Sequence, residues 1–189
     1  LLSRPLTDLL PGFVGAVFEA GPTALGNLMS LLGVGGMAGS LWMANRNRIG
    51  GTTTIYLAGA IGVSALTIGF TLTASLGVAM AIMVGLGFAG SVAGNAAQTL
   101  VQSSVEGSFR ARVLGLLSLS HQGPAVGAMV LGAAATWLGL QASVAFAAAI
   151  GLVFVLWLAR GRGAITQALE APHATRERLA GEGSAKAAE

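Results

Sequence analysis

The chain has 189 residues, of which 9% are charged and 54% hydrophobic, with 29 glycines and a net charge of +3. An ordinary soluble domain keeps roughly a quarter of its residues charged, and a surface short of charge does not stay in solution. The composition therefore excludes an ordinary soluble domain and points to an integral membrane protein. Nucleic-acid binding is not expected either, because Lys and Arg stand in short clusters between apolar runs rather than on one basic face with aromatics. There is no cysteine, which excludes disulfides and thiol-based metal or redox sites.

In chain order, Leu1 to Phe18 is apolar and reads as the end of a spanning helix cut short. It shows no basic n-region, so no signal peptide is read, and further N-terminal sequence is expected ahead of it. Pro22 to Ala44 is the next predicted helix, opened by Gly21-Pro22, since proline is tolerated in a first turn. Thr52 to Leu72 follows, then a turn at Thr73-Ala74-Ser75 and a helix from Leu76 to about Ser104. Two more are expected, from Arg112 to Leu138 and from Gln141 to Arg160. Charge spacing measures the same pattern: positions 20–45 give 26 uncharged residues, 49–105 give 57, and 113–159 give 47. A span needs about 20 residues, so these gaps hold one, two and two crossings. The expected fold is all-α, a polytopic transmembrane helix bundle over 1–161, with a charged, Ala- and Gly-rich tail over 162–189 that is disordered or weakly helical.

Arg46 and Arg48 lie in one connection, Arg110 and Arg112 two crossings later, and Arg160 and Arg162 two crossings later again. The connections around Ala20, Ser75 and Gly139 hold no Lys or Arg. By the positive-inside rule the three clusters share the cytoplasmic face, with the tail on the same side and Glu19 opposite.

Glycines recur at helical spacing in Gly35–Gly39, Gly85–Gly87, Gly90–Gly94 and Gly123–Gly127. In lipid, close approach through small residues supplies much of the packing; the same surfaces would also let helices slide, as transporters require. Polar groups at membrane depth are candidate functional sites. Arg4 and Asp8, four apart, share a helix face, and Asp8 falls about 15 Å below the Phe18 end by helical rise. They are read either as a pair facing a cavity, contacting substrate or coupling protons, or as a structural staple. His121 falls about 13 Å inside from Arg112; it is either a proton-coupling imidazole or an interhelical hydrogen-bonding group. Ser91, Asn95, Gln98 and Gln102 fall within about 60° of arc on one helix. Facing lipid they would be costly, so they are expected to line a substrate path or bond to a neighbouring helix.

Enzyme motifs are missing: there is no G-x-S-x-G, H-E-x-x-H or Walker loop. His121 and His173 are predicted in different phases, one in the membrane and one in the tail. No acid pair is placed for glycoside hydrolysis. No cofactor or metal is expected.

The stretch from Val101 to Gly132 resembles the region of the tenth and eleventh helices in the major facilitator superfamily, most closely the bacterial siderophore and drug exporters. Gln102, Glu106, Arg110, Arg112 and Val113 match a polar stretch of that branch, with Val105 in place of the usual proline and Ala111 of the usual glycine. Gly123, Pro124 and Gly127 are similar to the glycine–proline antiporter motif, a helix-packing element. The run from Gly36 to Gly51 resembles the second copy of the family's loop motif, with Asn45 where Asp is usual, and the run from Arg4 to Pro11 resembles a stretch of the seventh helix. The resemblance covers about residues 1–161. It implies the C-terminal six-helix half of a twelve-helix transporter in a bacterial inner membrane, its first helix truncated. The implied activity is proton-coupled export of a small molecule by alternating access, with the lipid bilayer, an N-terminal half, substrate and protons as partners. Arg4, Asp8, Ser91, Asn95 and Gln98 would line the cavity, Asp8 and His121 would couple protons, and Asn45, Arg46, Arg48, Glu106, Arg110 and Arg112 would form the cytoplasmic gate or loop. Two other classes remain expected alternatives, a permease-like subunit of a larger complex and an intramembrane enzyme.

Overall fold

A computed structural model describes residues 10–12, 14–15, 21–46, 51–104, 129, 132–133, 135–137 and 139–161. Every regular element among these is helical. Four long helices are α1 (Pro22–Ala44), α2 (Thr52–Leu72), α3 (Leu76–Ser104) and α4 (Leu140–Arg160). The first three have the bounds expected from sequence, and α4 begins one residue earlier than expected. All four are long and apolar enough to cross a membrane. Positions 10–12, 14–15, 129, 132–133 and 135–137 are also helical, and the rest of the two further helices expected there lies outside the described residues.

Local chemistry sets the ends. Gly21 caps α1 in an extended conformation with Pro22 in the first turn. At the far end the Asn45 N–H bonds the Leu41 carbonyl at 3.0 Å and the Arg46 N–H that of Met43 at 3.2 Å, closing the last turn. Gly51, ahead of α2, has φ +81°, a left-handed conformation that a Cβ would strain. Between α2 and α3 the Ser75 N–H donates to Thr73 Oγ at 3.3 Å, a side-chain-supported turn at the predicted position. Gly139, also at positive φ, precedes α4.

Three hydroxyls inside the apolar helices are satisfied locally. Ser64, Thr67 and Ser143 each donate to the carbonyl one turn back, that of Ala60, Val63 and Gly139, at 3.0, 2.8 and 2.9 Å. This back-bonding lets a polar side chain sit in a hydrocarbon setting without an orphan donor.

The helices pack in the spatial order α1, α3, α2, α4, so that α3 lies between its two predecessors and α4 rests on α2. Glycine contacts give the directions. Along α1, Leu32 and Gly36 meet Gly87, Gly36 meets Ser91, and Gly39 meets Phe88, so the numbers rise together and α1 runs parallel to α3. Along α2, Gly59 meets Ala93, Gly62 meets Ala89, Leu66 meets Gly85 and Gly69 meets Ile82, so α2 is antiparallel to α3. Ala44, Thr52 and the last turns of α3 therefore share one end. The main apolar cluster lies toward the other, where Leu28, Phe70 and Met83 are fully buried. Leu10, Val14 and, from the first turns of α4, Val144 belong to the same cluster. With Val144 there, Arg160 lies about 24 Å along the axis, toward the Arg46 end.

Candidate functional site

The seam between α1 and α3 carries Ser91 and Asn95 of the predicted polar stripe. It exists because glycine lets two backbones touch. A Cβ on Gly35 would collide with the carbonyl oxygen of Val84, and one on Gly87 with that of Leu32; at Gly39 it would lie 2.6 Å from the Phe88 carbonyl oxygen. With the axes this close, short side chains reach across. The amide nitrogen of Asn95 donates to Ser40 Oγ at 3.2 Å, a hydrogen bond between helices 55 positions apart in sequence. Ser91 Oγ lies 3.1 Å from where a Gly36 Cβ would stand. Thr99 Oγ donates to the Asn95 carbonyl at 2.9 Å, which keeps its hydroxyl on its own helix.

Within the predicted stripe the described residues differ, and Asn95 bonds to a neighbouring helix. Ser91 and Asn95 are half-buried and lie on the face that meets α1, while Gln98 is exposed. Their depth follows from register. Ser40 is four residues short of Ala44, about 6 Å inside that end, and Gly36 about 12 Å inside. The stripe accordingly occupies the half of the bundle on the Arg46 side. Trp42 flanks it, its ring 6.1 Å from that of Phe88 and tilted by 53°. Asn45 and Arg46 close the same end, both exposed, and the Arg46 guanidinium reaches to 3.4 Å from the position a Gly51 Cβ would take.

Arg4, Asp8, Arg48, Glu106, Arg110, Arg112, His121, Gly123, Pro124 and Gly127 lie outside the described residues, as does the side chain of Gln102. Ser40 is the residue that sequence reading missed. It sits in Gly39-Ser40, and only the phase of α1 against α3 distinguishes it from other serines in apolar helices.

Chemically, Ser40, Ser91, Asn95 and Gln98 offer uncharged donors and acceptors beside two aromatic rings, suited to holding a small molecule by hydrogen bonds and ring contact. Among the described residues no cluster of His, Cys, Asp or Glu is placed to hold a metal ion. No family model matches the chain, and neither a curated protein nor a solved structure is significantly similar to it.

Proposed function

We propose that the chain is the C-terminal six-helix half of a major facilitator-type transporter of a bacterial inner membrane, exporting a small drug-like or siderophore-like molecule in exchange for protons. The observation that carries this reading is the uncharged polar stripe of α3, with Ser91 and Asn95 at the α1–α3 seam and Gln98 exposed beside it, among four apolar spans. Hydrogen-bonding groups at such depth are costly facing lipid and useful facing a substrate path. The glycine-lined contacts support it further, since alternating access needs helices that pack closely and move as units. Asp8 and His121 are the proposed proton-coupling groups, and Asn45, Arg46, Arg48, Glu106, Arg110 and Arg112 the proposed gate on the cytoplasmic side. A second six-helix half completes the cavity.

The test is efflux from proteoliposomes holding the complete transporter, with an imposed pH gradient and a panel of fluorescent drug-like dyes. Removing one substrate hydrogen bond costs about 1 kcal/mol, so Gln98→Ala should weaken apparent affinity roughly fivefold. Asp8→Asn or His121→Ala should uncouple efflux from the pH gradient. Gradient-independent efflux in the parent protein would sink the proton-coupled reading. Unchanged efflux in Gln98→Ala would remove the stripe from the substrate path.

A further inference from the structure

One face of α3 changes character from end to end. Ala79, Met83, Leu86, Gly90 and Gly94 fall within about 80° of arc by helical periodicity. Ala79, Met83 and Leu86 are buried, whereas Gly90 is half-buried and Gly94 exposed. A Cβ at Gly90 or Gly94 would meet nothing within 4 Å among the described residues. The buried part of this face belongs to the cluster that holds Leu10 and Val14. Around those two positions the burial is one-sided: Leu10 and Val14 are buried, while Pro11, Gly12 and Gly15 are exposed. The chain enters α1 at the end remote from Arg46. Running back from Leu10 therefore leads toward the Arg46 end, over the part of the α3 face that is open. Residues 1–9 would reach about 13 Å in that direction as helix, and Gly90 lies about 10 Å beyond Met83.

We propose that residues 1–9 continue the helix through Leu10 and Val14 and seat on the open face of α3, with Ser3 and Thr7 against Gly90. Continuity with the Leu10–Val14 contact selects this occupant, and the residue types fit it. Helical phase puts Ser3, Leu6 and Thr7 on the side of Leu10 and Val14, and Arg4 and Asp8 on the side of Pro11, Gly12 and Gly15. Ser3–Thr7 and Gly90–Gly94 are both small-residue pairs one turn apart, and such pairs let spanning helices approach closely. The Thr7 hydroxyl needs no partner on α3, since it can bond a carbonyl one turn back as Thr67 does. Pro5 and Pro11 do not end the helix, because proline is tolerated in spanning segments. The arrangement holds whether or not the chain transports. It turns Arg4 and Asp8 away from α3, toward a side where a charged pair calls for protein rather than lipid.

The experiment is a cysteine scan of the full chain in liposomes, where no native cysteine interferes. Gly90→Cys is paired in turn with a cysteine at each of positions 2–9 and treated with a short bifunctional thiol reagent. Gly36→Cys with Ser91→Cys is the folding reference, because a Gly36 Cβ would stand 3.1 Å from Ser91 Oγ. Relative to that pair, crosslinking should peak at positions 3, 6 and 7 and drop at 4 and 8, a period of about 3.6 residues. Peaks at positions 4 and 8 would overturn the proposal, because the helix would then face the other way. A flat profile would overturn it too, because no helix would be seated on Gly90. The stretch 105–128 is the competing occupant. Crosslinks from Gly90→Cys to cysteines at positions 113–125, with none to 2–9, would assign the groove to that stretch and likewise overturn the proposal.

Discussion

At Gly35 and Gly87 a hydrogen atom stands where any other residue would place a carbon against a backbone carbonyl of the neighbouring helix. Carbonyls belong to a rigid helix and cannot swing aside as a side-chain end can, so a methyl group there forces α1 and α3 apart. Overpacking of this kind costs about 1–3 kcal/mol. Gly35→Ala and Gly87→Ala should therefore lower the midpoint of SDS-induced unfolding. Gly33→Ala is the matched control, because a Cβ at Gly33 meets nothing within 4 Å; it should be neutral or raise the midpoint, since alanine favours the helix by about 1 kcal/mol. Equal effects at Gly33 and Gly35 would mean that helix propensity, and not interhelical contact, governs the response. Sequence reading found the Gly35–Gly39 spacing but could not say which glycines touch. Gly90 and Gly94 have the same i, i+4 spacing, yet a Cβ at either meets nothing within 4 Å among the described residues. Contact depends on the rotation of each helix about its axis, and spacing along one helix carries no information about that.

The helix bounds were legible in the sequence for a physical reason. Water-facing connections in a membrane protein carry charge and turn-forming residues, and hydrocarbon tolerates few charges, so Arg46 and the Thr73-Ala74-Ser75 turn mark the ends without help from tertiary structure. The pairing of helices was not legible. The polar stripe of α3 was placed on one face by its period, but whether that face met a cavity or another helix depended on α1 lying beside α3 in parallel. The result is mixed within the stripe: Asn95 bonds Ser40, and Gln98 stays exposed. Interhelical hydrogen bonds in membranes average about 0.6 kcal/mol, because the separated helices find other partners. A double-mutant cycle of Ser40→Ala and Asn95→Ala in SDS unfolding should give a coupling of that order. Additive single effects would show that the bond contributes nothing beyond packing.

For the molecule as a whole, charge and geometry reach the same topology from independent starting points. Arginine placement sets the ends of α1 and α4 on one side by insertion energetics. The directions of α1, α2 and α3 were read from which glycines touch, with no reference to charge, and they too bring Ala44, Thr52 and the close of α3 to one end. Agreement between the two makes the threading testable without any knowledge of substrate. The chain has no cysteine, so single cysteines can be added with no background to remove. Asn45→Cys and Gly161→Cys should react with a membrane-impermeant maleimide from the same side of sealed vesicles, and Ser75→Cys only from the other. On the positive-inside argument the shared side of Asn45 and Gly161 is the cytoplasmic one, so in intact cells Ser75→Cys labels first and the other two only after permeabilisation. If Gly161 labelled with Ser75, α4 would have to enter from the opposite end, and the seating of Val144 in the cluster with Phe70 and Leu28 would be lost. If Asn45 and Gly161 labelled from the outside and Ser75 only after permeabilisation, the threading would survive and the positive-inside assignment would fall. The labelling pattern thus separates an error in helix packing from an error in membrane orientation.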